Sequence, residues 1–154
     1  MSKKKKINVA EGREEIKFSR EVPTPPAPGF KSPFNSLEAW LFSICKTDQP
    51  QKSISEYCFL LFESPEEDLI CLVGYNNYTE GDLDAVKVDF EPSNMFFPLS
   101  KDKFANLSRD QIREQLINDL VEFTNTSQFH NSFFSKAQAV TTSFGGDIWP
   151  RSME

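Results

Sequence analysis

The sequence is poor in the residues on which most catalytic and metal sites depend. It has a single histidine, His130, and three cysteines, Cys45, Cys58 and Cys71, with no CxxC pair among them. One histidine without a convergent cysteine or carboxylate set does not make a zinc site. An odd number of scattered cysteines does not make a disulfide framework. Hydrolase, metalloprotease and nucleotide-binding motifs are also missing. We therefore expect no enzyme activity, no metal and no cofactor.

Long hydrophobic runs are missing as well. No stretch approaches the roughly 20 apolar residues that span a bilayer. The basic start, MSKKKKINVAEG, has no apolar segment behind it and so does not fit a secretory signal. Together with the unpaired cysteines, this predicts a cytoplasmic protein that does not act at a membrane.

Negative charge is abundant but unevenly distributed. Residues 1–34 carry eight Lys/Arg against four Asp/Glu, whereas residues 35–154 carry nine against nineteen. A strongly acidic body repels nucleic acid and anionic lipid and attracts basic proteins. We therefore expect a protein partner and no nucleic-acid partner.

The N-terminal part divides into three segments. Residues 1–12 are expected to form a flexible basic tail, and a single domain is expected over residues 13–150. Ile16, Phe18 and Val22 follow the period of a half-buried strand. Residues 23–33 hold five of the ten prolines, which predicts an extended connector; a PxxP ligand is the less favoured interpretation.

A short helix is predicted next, in FNSLEAWLFSICK. Asn35 is the expected N-cap, with Glu38 three residues on, as in a capping box. The apolar face consists of four side chains at helical spacing: Leu37, Trp40, Leu41 and Ile44.

The strongest hairpin signal is EYCFLLFESPEEDLICLVGY. If Glu63 pairs with Asp68, Leu60 faces Cys71 and Cys58 faces Val73. Both faces of both strands are apolar, so the hairpin should be central in its sheet. In this register Cys58 and Cys71 are diagonal neighbours, too far apart for an unstrained disulfide, and are expected to be core thiols.

The remaining elements complete an α+β pattern. AVKVDFEP predicts a third strand, and residues 93–107 are expected to be irregular, with aromatic side chains in the core. Ser108 and Gln111 predict a capping box for a long second helix, SQFHNSFFSKA adds a turn or two of helix, and QAVTTSF predicts a last strand. The expected fold is one antiparallel sheet, built around a three-strand meander, with two main helices packed on it.

The closing stretch, SFGGDIWPR, is interpreted as a turn. A phosphate loop requires a helix after its glycines, but Pro150 stands where that helix would continue and no lysine is placed as in a P-loop. Gly145 and Gly146 suit a tight turn with a positive φ.

An acidic stretch is the most suggestive feature for function. Residues 63–91 contain nine carboxylates against one basic residue, Lys87. Such a surface is either ordinary solvated charge or a site that steers a basic partner. On the second interpretation, with aromatic anchors beside the charges, the predicted partner-binding residues are Glu66, Glu67, Asp68, Tyr75, Tyr78, Glu80, Asp82 and Asp84. Phe96 and Phe97 are further anchor candidates.

Size, acidity, the α+β order and the closing pattern FFSKAQAVTTSFGGDIW make the chain resemble a family of bacterial immunity proteins. These are the small, acidic, single-domain proteins encoded beside polymorphic or contact-dependent toxins, and the resemblance covers about residues 35–149. It implies a non-enzymatic inhibitor that binds and neutralises a cognate toxin domain. The acidic charge points to a basic, possibly nuclease-like toxin, and a monomer is the favoured state.

An alternative resemblance is to class I type III secretion chaperones, which share a helix, a three-strand meander and a second helix. Here that order runs from Asn35 to Asn125. This resemblance implies a homodimer that binds an extended effector segment. The N-terminal strand and the proline connector depart from that pattern.

Overall fold

The structure, a computed structural model, describes residues 21–76 and 87–150. The predicted tail 1–12 and most of the first predicted strand lie outside these residues. Within the described residues, regular structure comprises two main helices, one short α-helix, one 3-10 helix and six strands. Their order is α1 (Leu37–Thr47), β1 (Glu56–Phe62), β2 (Leu69–Tyr75), β3 (Val88–Phe90), β4 (Phe96–Pro98), α2 (Arg109–Thr124), α3 (Ser127–His130), the 3-10 helix (Phe133–Lys136), β5 (Ala139–Thr142) and β6 (Gly146–Trp149). The fold is α+β, as predicted.

The sheet is mixed rather than antiparallel throughout. Its order is β3-β2-β1-β5-β6, with β4 also paired to β2. The meander of β1, β2 and β3 is antiparallel as predicted, but β5 joins β1 in parallel. The chain between β1 and β5 includes α2, which lets β5 return in the same direction. The prediction of a purely antiparallel sheet is therefore wrong.

The central hairpin has the predicted register. Cys58 is paired with Val73 and Leu60 with Cys71. Both cysteines are buried, and burial raises the pKa of the Cys71 thiol to about 12, with smaller contributions from Cys58 and Glu91. They are core thiols, as expected.

The helices cover one face of the sheet with a largely aromatic core. Trp40 and Phe97 stack with ring centroids 5.6 Å apart, and Tyr57 meets Phe134 edge-on at 5.0 Å. The Trp40 indole N–H also donates to the Asn94 carbonyl at 2.6 Å. Aromatic pairs of this geometry stabilise a core beyond their buried area.

No helix of the described residues covers the opposite face. Cys58, Leu60, Cys71, Val73 and Tyr75 form a second buried cluster there. The N-terminal connector runs past this face: Phe30 meets Phe96 edge-on at 6.4 Å, and residues 23–33 contain no helix or strand. Both faces of the hairpin are therefore buried, as its sequence predicts.

Helix starts follow side-chain capping. Ser108 and Gln111 form the predicted capping box of α2. For α1 the predicted cap is wrong by one residue: Ser36, not Asn35, accepts the Ala39 N–H at 3.0 Å. Because the helix begins at Leu37, Glu38 is too early to complete a capping box.

SFGGDIWPR forms a hairpin turn, as predicted, but a strand follows it. Gly146 has φ +79 and starts β6, whose Ile148 is buried. Gly145 lies against α2, where an added Cβ would stand 2.5 Å from Ile117 Cδ1. Gly146 is therefore needed for its left-handed backbone conformation, and Gly145 because there is no room for a side chain beside α2.

Candidate functional site: an acidic hairpin turn and its groove

The turn between β1 and β2 is held by its own side chains. Ser64 Oγ donates to the Glu67 carbonyl at 2.6 Å and accepts the Glu67 N–H at 3.0 Å. Asp68 Oδ1 accepts the Ser64 N–H at 3.2 Å. These bonds explain why SPEE, flanked by Glu63 and Asp68, makes a fixed loop.

Asp68, one of the predicted binding residues, is engaged within the fold. Its Oδ2 lies 2.6 Å from Arg109 Nη1 in the first turn of α2. Arg109 Nη2 also donates to the Ser64 carbonyl at 3.3 Å. The hydrogen bond that Arg109 donates to Asp68 is the main reason that the pKa of Arg109 is raised. Asp68 thus fastens the turn to α2.

Glu63 is engaged in the same way by the next turn of α2. Arg113 grips it with two bonds, Nε to Oε2 at 3.0 Å and Nη2 to Oε1 at 2.6 Å. Such a bidentate pair is the strongest geometry for an ion pair. The hydrogen bond from Arg113 lowers the pKa of Glu63, aided by the charges of Arg113 and Arg109 and opposed by partial burial.

Glu66 and Glu67 are the two carboxylates within the turn itself. Glu66 is exposed and Glu67 is half-buried. Neither forms an ion pair with another described residue. Glu67 Oε1 is shielded from solvent and accepts no hydrogen bond within the part of the chain that the structure describes. Within that part, the two carboxylates form a negative edge on a turn whose backbone is held by Ser64 and Asp68.

A groove of about 390 Å³ runs beside this edge. Most of its lining residues are polar or charged, and its floor is formed by four large apolar residues: Leu99, Phe104, Leu107 and Ile112. Three of these side chains are almost fully buried, whereas Leu107 is 37% exposed. Sequence patterns predicted aromatic residues in the core here but gave no sign of a groove, because residues 99–107 lack periodicity.

The described part of the acidic stretch 63–91 does not form one surface. Asp89 and Glu91 flank the end of β3, which pairs with the Tyr75 end of β2, while the hairpin turn lies at the other end. Seven residues of β2 separate the two ends by about 20 Å. Asp89 is occupied by Lys52 at 3.0 Å and by the Asn76 N–H at 3.0 Å.

The prediction that Tyr75 is an exposed aromatic anchor is wrong. Tyr75 is 1% exposed, and its hydroxyl donates to the Glu21 carbonyl at 2.7 Å. The connector and the second sheet face enclose it, which the sequence around it does not indicate. Phe97 is buried too. Tyr78, Glu80, Asp82 and Asp84 lie outside the described residues.

The metal-ligating and nucleophilic residue types are scattered over the described residues. In residues 21–76 and 87–150, no three His, Cys, Asp or Glu side chains are grouped to hold a metal ion. His130 is exposed and meets the Phe129 ring edge-on. Burial raises the pKa of the Cys45 thiol, although a hydrogen bond with Ser132 lowers it.

Comparison of the chain with protein-family models, curated proteins and solved structures finds no match. Over the described residues, no helix has both the length and the apolar character needed to cross a membrane.

Proposed function

We propose that this protein is a non-enzymatic inhibitor that binds a basic protein partner at the acidic hairpin turn, in the manner of an immunity protein that neutralises a cognate toxin domain. The observation that carries the proposal is the pair Glu66 and Glu67, which lacks ion-pair partners among the described residues and stands on a hydrogen-bonded turn. Negative charge on an ordered turn steers a positive partner and needs little backbone ordering on binding.

The division of roles at the turn supports this proposal. Arg109 and Arg113 neutralise Asp68 and Glu63 and hold the turn on α2. We therefore assign binding of the partner to Glu66 and Glu67. Asp68 holds the turn in position on α2. A test by charge reversal must leave Asp68 intact, because a lysine there would face Arg109.

The chaperone-like dimer is less well supported. A dimer of that kind needs an exposed apolar surface. Among the described residues, the large hydrophobic side chains more than about a third exposed are Val22 and Leu107. Neither main helix presents an apolar face in this set.

The experiment is capture of partners from the source cell with tagged protein, at low and high salt, followed by native mass measurement. We expect one basic protein, bound stoichiometrically by a monomer and captured less at high salt. Purified partner should then associate with the Glu66→Lys/Glu67→Lys variant roughly tenfold more slowly at low salt. Co-expression with this protein should protect cells from the partner's toxicity.

The matched control is Glu114→Lys/Glu122→Lys, which makes the same change in net charge at two exposed carboxylates of α2. An equal loss of association rate in both variants would mean that total charge, not the hairpin turn, controls binding. A dimer carrying an unfolded client would instead favour the chaperone function.

A further inference from the structure

We infer that the groove beside the hairpin turn receives an aliphatic side chain from a partner segment, and that a Lys or Arg adjacent to it in that segment meets Glu66 and Glu67. The inference rests on the proposed function and specifies what the partner must present. It follows from the groove's floor, its two rims and its rigidity.

The floor favours an aliphatic side chain. Phe104 and Ile112 belong to the main core, so their positions are fixed, while Leu107 stands partly in solvent. Leu107 follows Asn106, which has a left-handed backbone with φ 67, and its N–H donates to the Phe104 carbonyl at 3.3 Å. A side chain laid against Leu107 removes apolar surface from water at little cost in ordering the protein.

The rims carry opposite charges, which fixes the orientation of the ligand. Among the lining residues, Glu66 and Glu67 belong to the hairpin turn, which forms one rim, and Lys101 belongs to the segment after β4, which we take as the other rim. Arg109 also lines the groove, but its charge is engaged by Asp68 at 2.6 Å. A basic residue of the partner is therefore attracted to the hairpin rim and repelled from the Lys101 rim.

Glu67 gives a second and independent reason for a cation at this rim. Its Oε1 is buried and has no hydrogen-bond partner among the described residues. A buried carboxylate oxygen without a donor is energetically unfavourable. A guanidinium or ammonium group of the partner supplies that donor once the Glu67 side chain rotates toward the groove.

The test is titration of the full ¹⁵N-labelled chain with three capped tripeptides, followed by NMR. The probes are Ac-Arg-Leu-Arg-NH₂, Ac-Arg-Ser-Arg-NH₂ and Ac-Glu-Leu-Glu-NH₂. We expect the first to produce saturable shifts of the Glu67, Phe104 and Leu107 amides. The serine peptide should bind about tenfold more weakly, as expected for losing the partial burial of one leucine, and the acidic peptide should give no saturable shift.

Three variants refine the test. Leu107→Ser, at an exposed position, should reduce binding of the leucine peptide to the level of the serine peptide. Glu66→Lys/Glu67→Lys should abolish it, and Lys101→Glu should strengthen it. Equal binding of the leucine and serine peptides, equal binding of the acidic peptide, or shifts away from the groove would each overturn the inference.

The outcome is distinguishable from failure of the proposed function. Capture of a basic partner that is insensitive to Leu107→Ser but lost in Glu66→Lys/Glu67→Lys would support the inhibitor and overturn the groove. Specific binding of the leucine peptide without any captured toxin would support the groove's chemistry and overturn the inhibitor.

Discussion

Substitution of Gly145 or Gly146 by alanine should lower the stability of the fold, for a different physical reason at each position. In Gly145→Ala the new Cβ would lie 2.5 Å from Ile117 Cδ1 and 2.8 Å from Ile117 Cγ1. Ile117 packs against the core, so it has limited room to move. Overpacking of this kind costs about 1–3 kcal/mol. We expect a loss in the lower half of that range, because the atoms in the way belong to the end of the Ile117 side chain, which can shift more easily than backbone.

Gly146→Ala meets no atom within 4 Å, but its φ is +79. An alanine in this left-handed conformation costs about 1–2 kcal/mol. The two single variants are therefore expected to lose similar stability. The two causes can be told apart, because only the loss in Gly145→Ala should depend on the side chain at position 117.

In an Ile117→Ala background the obstruction at Gly145 is gone. There, Gly145→Ala should be neutral or should stabilise by about 0.4–1 kcal/mol, since alanine restricts the unfolded chain. Gly146→Ala should lose the same free energy as in the wild type. Urea unfolding followed by tryptophan fluorescence measures both double-mutant cycles. An equal loss for Gly145→Ala in both backgrounds would refute the steric explanation.

Three further predictions concern the hairpin and the thiols. Leu60→Ala, on the connector-covered face, should destabilise by about 2–5 kcal/mol in urea unfolding; a loss below 1 kcal/mol would mean that this face is loosely packed. Because Arg113 lowers the pKa of Glu63, the pair stabilises the fold fully above the ordinary glutamate pKa of about 4.3 and less as pH falls through the lowered value. The stability difference between wild type and Glu63→Gln should therefore shrink on acidification, and a constant difference would argue against the pair. Finally, a thiol reagent should modify the half-buried Cys45 in native protein well before Cys71, whereas equal rates would contradict the burial of Cys71.

Local patterns predicted the elements whose partners are close in sequence. The register of β1 and β2 followed from Ser64 to Glu67 because a short turn leaves few alternatives. The capping box of α2 is likewise a local device. The N-cap of α1 was harder to place, since Asn35 and Ser36 are both good caps and α1 begins at Leu37.

The missed features depend on contacts between distant residues. β6 was not predicted because its four residues do not alternate between apolar and polar; only Ile148 is fully buried. The strand forms by pairing with β5. Tyr75 is buried partly by Glu21, 54 residues away. Among the candidate site residues, Glu66 and Glu67 stay available, whereas the engagement of Asp68 by Arg109 depends on where α2 docks.

The parallel pairing of β1 with β5 has a consequence for synthesis of the chain. The Thr141 hydroxyl donates a hydrogen bond to Glu56, 85 residues earlier. The entropic free-energy cost of closing such a loop is about 2 kcal/mol greater than that of closing a six-residue turn. At translation rates of roughly 5–20 residues per second, the complete hairpin emerges about 3–13 seconds before β5 does. During that interval the β5-pairing edge of β1 has no native partner. Slower translation just after β2 would lengthen this exposure, and co-translational aggregation should rise with it.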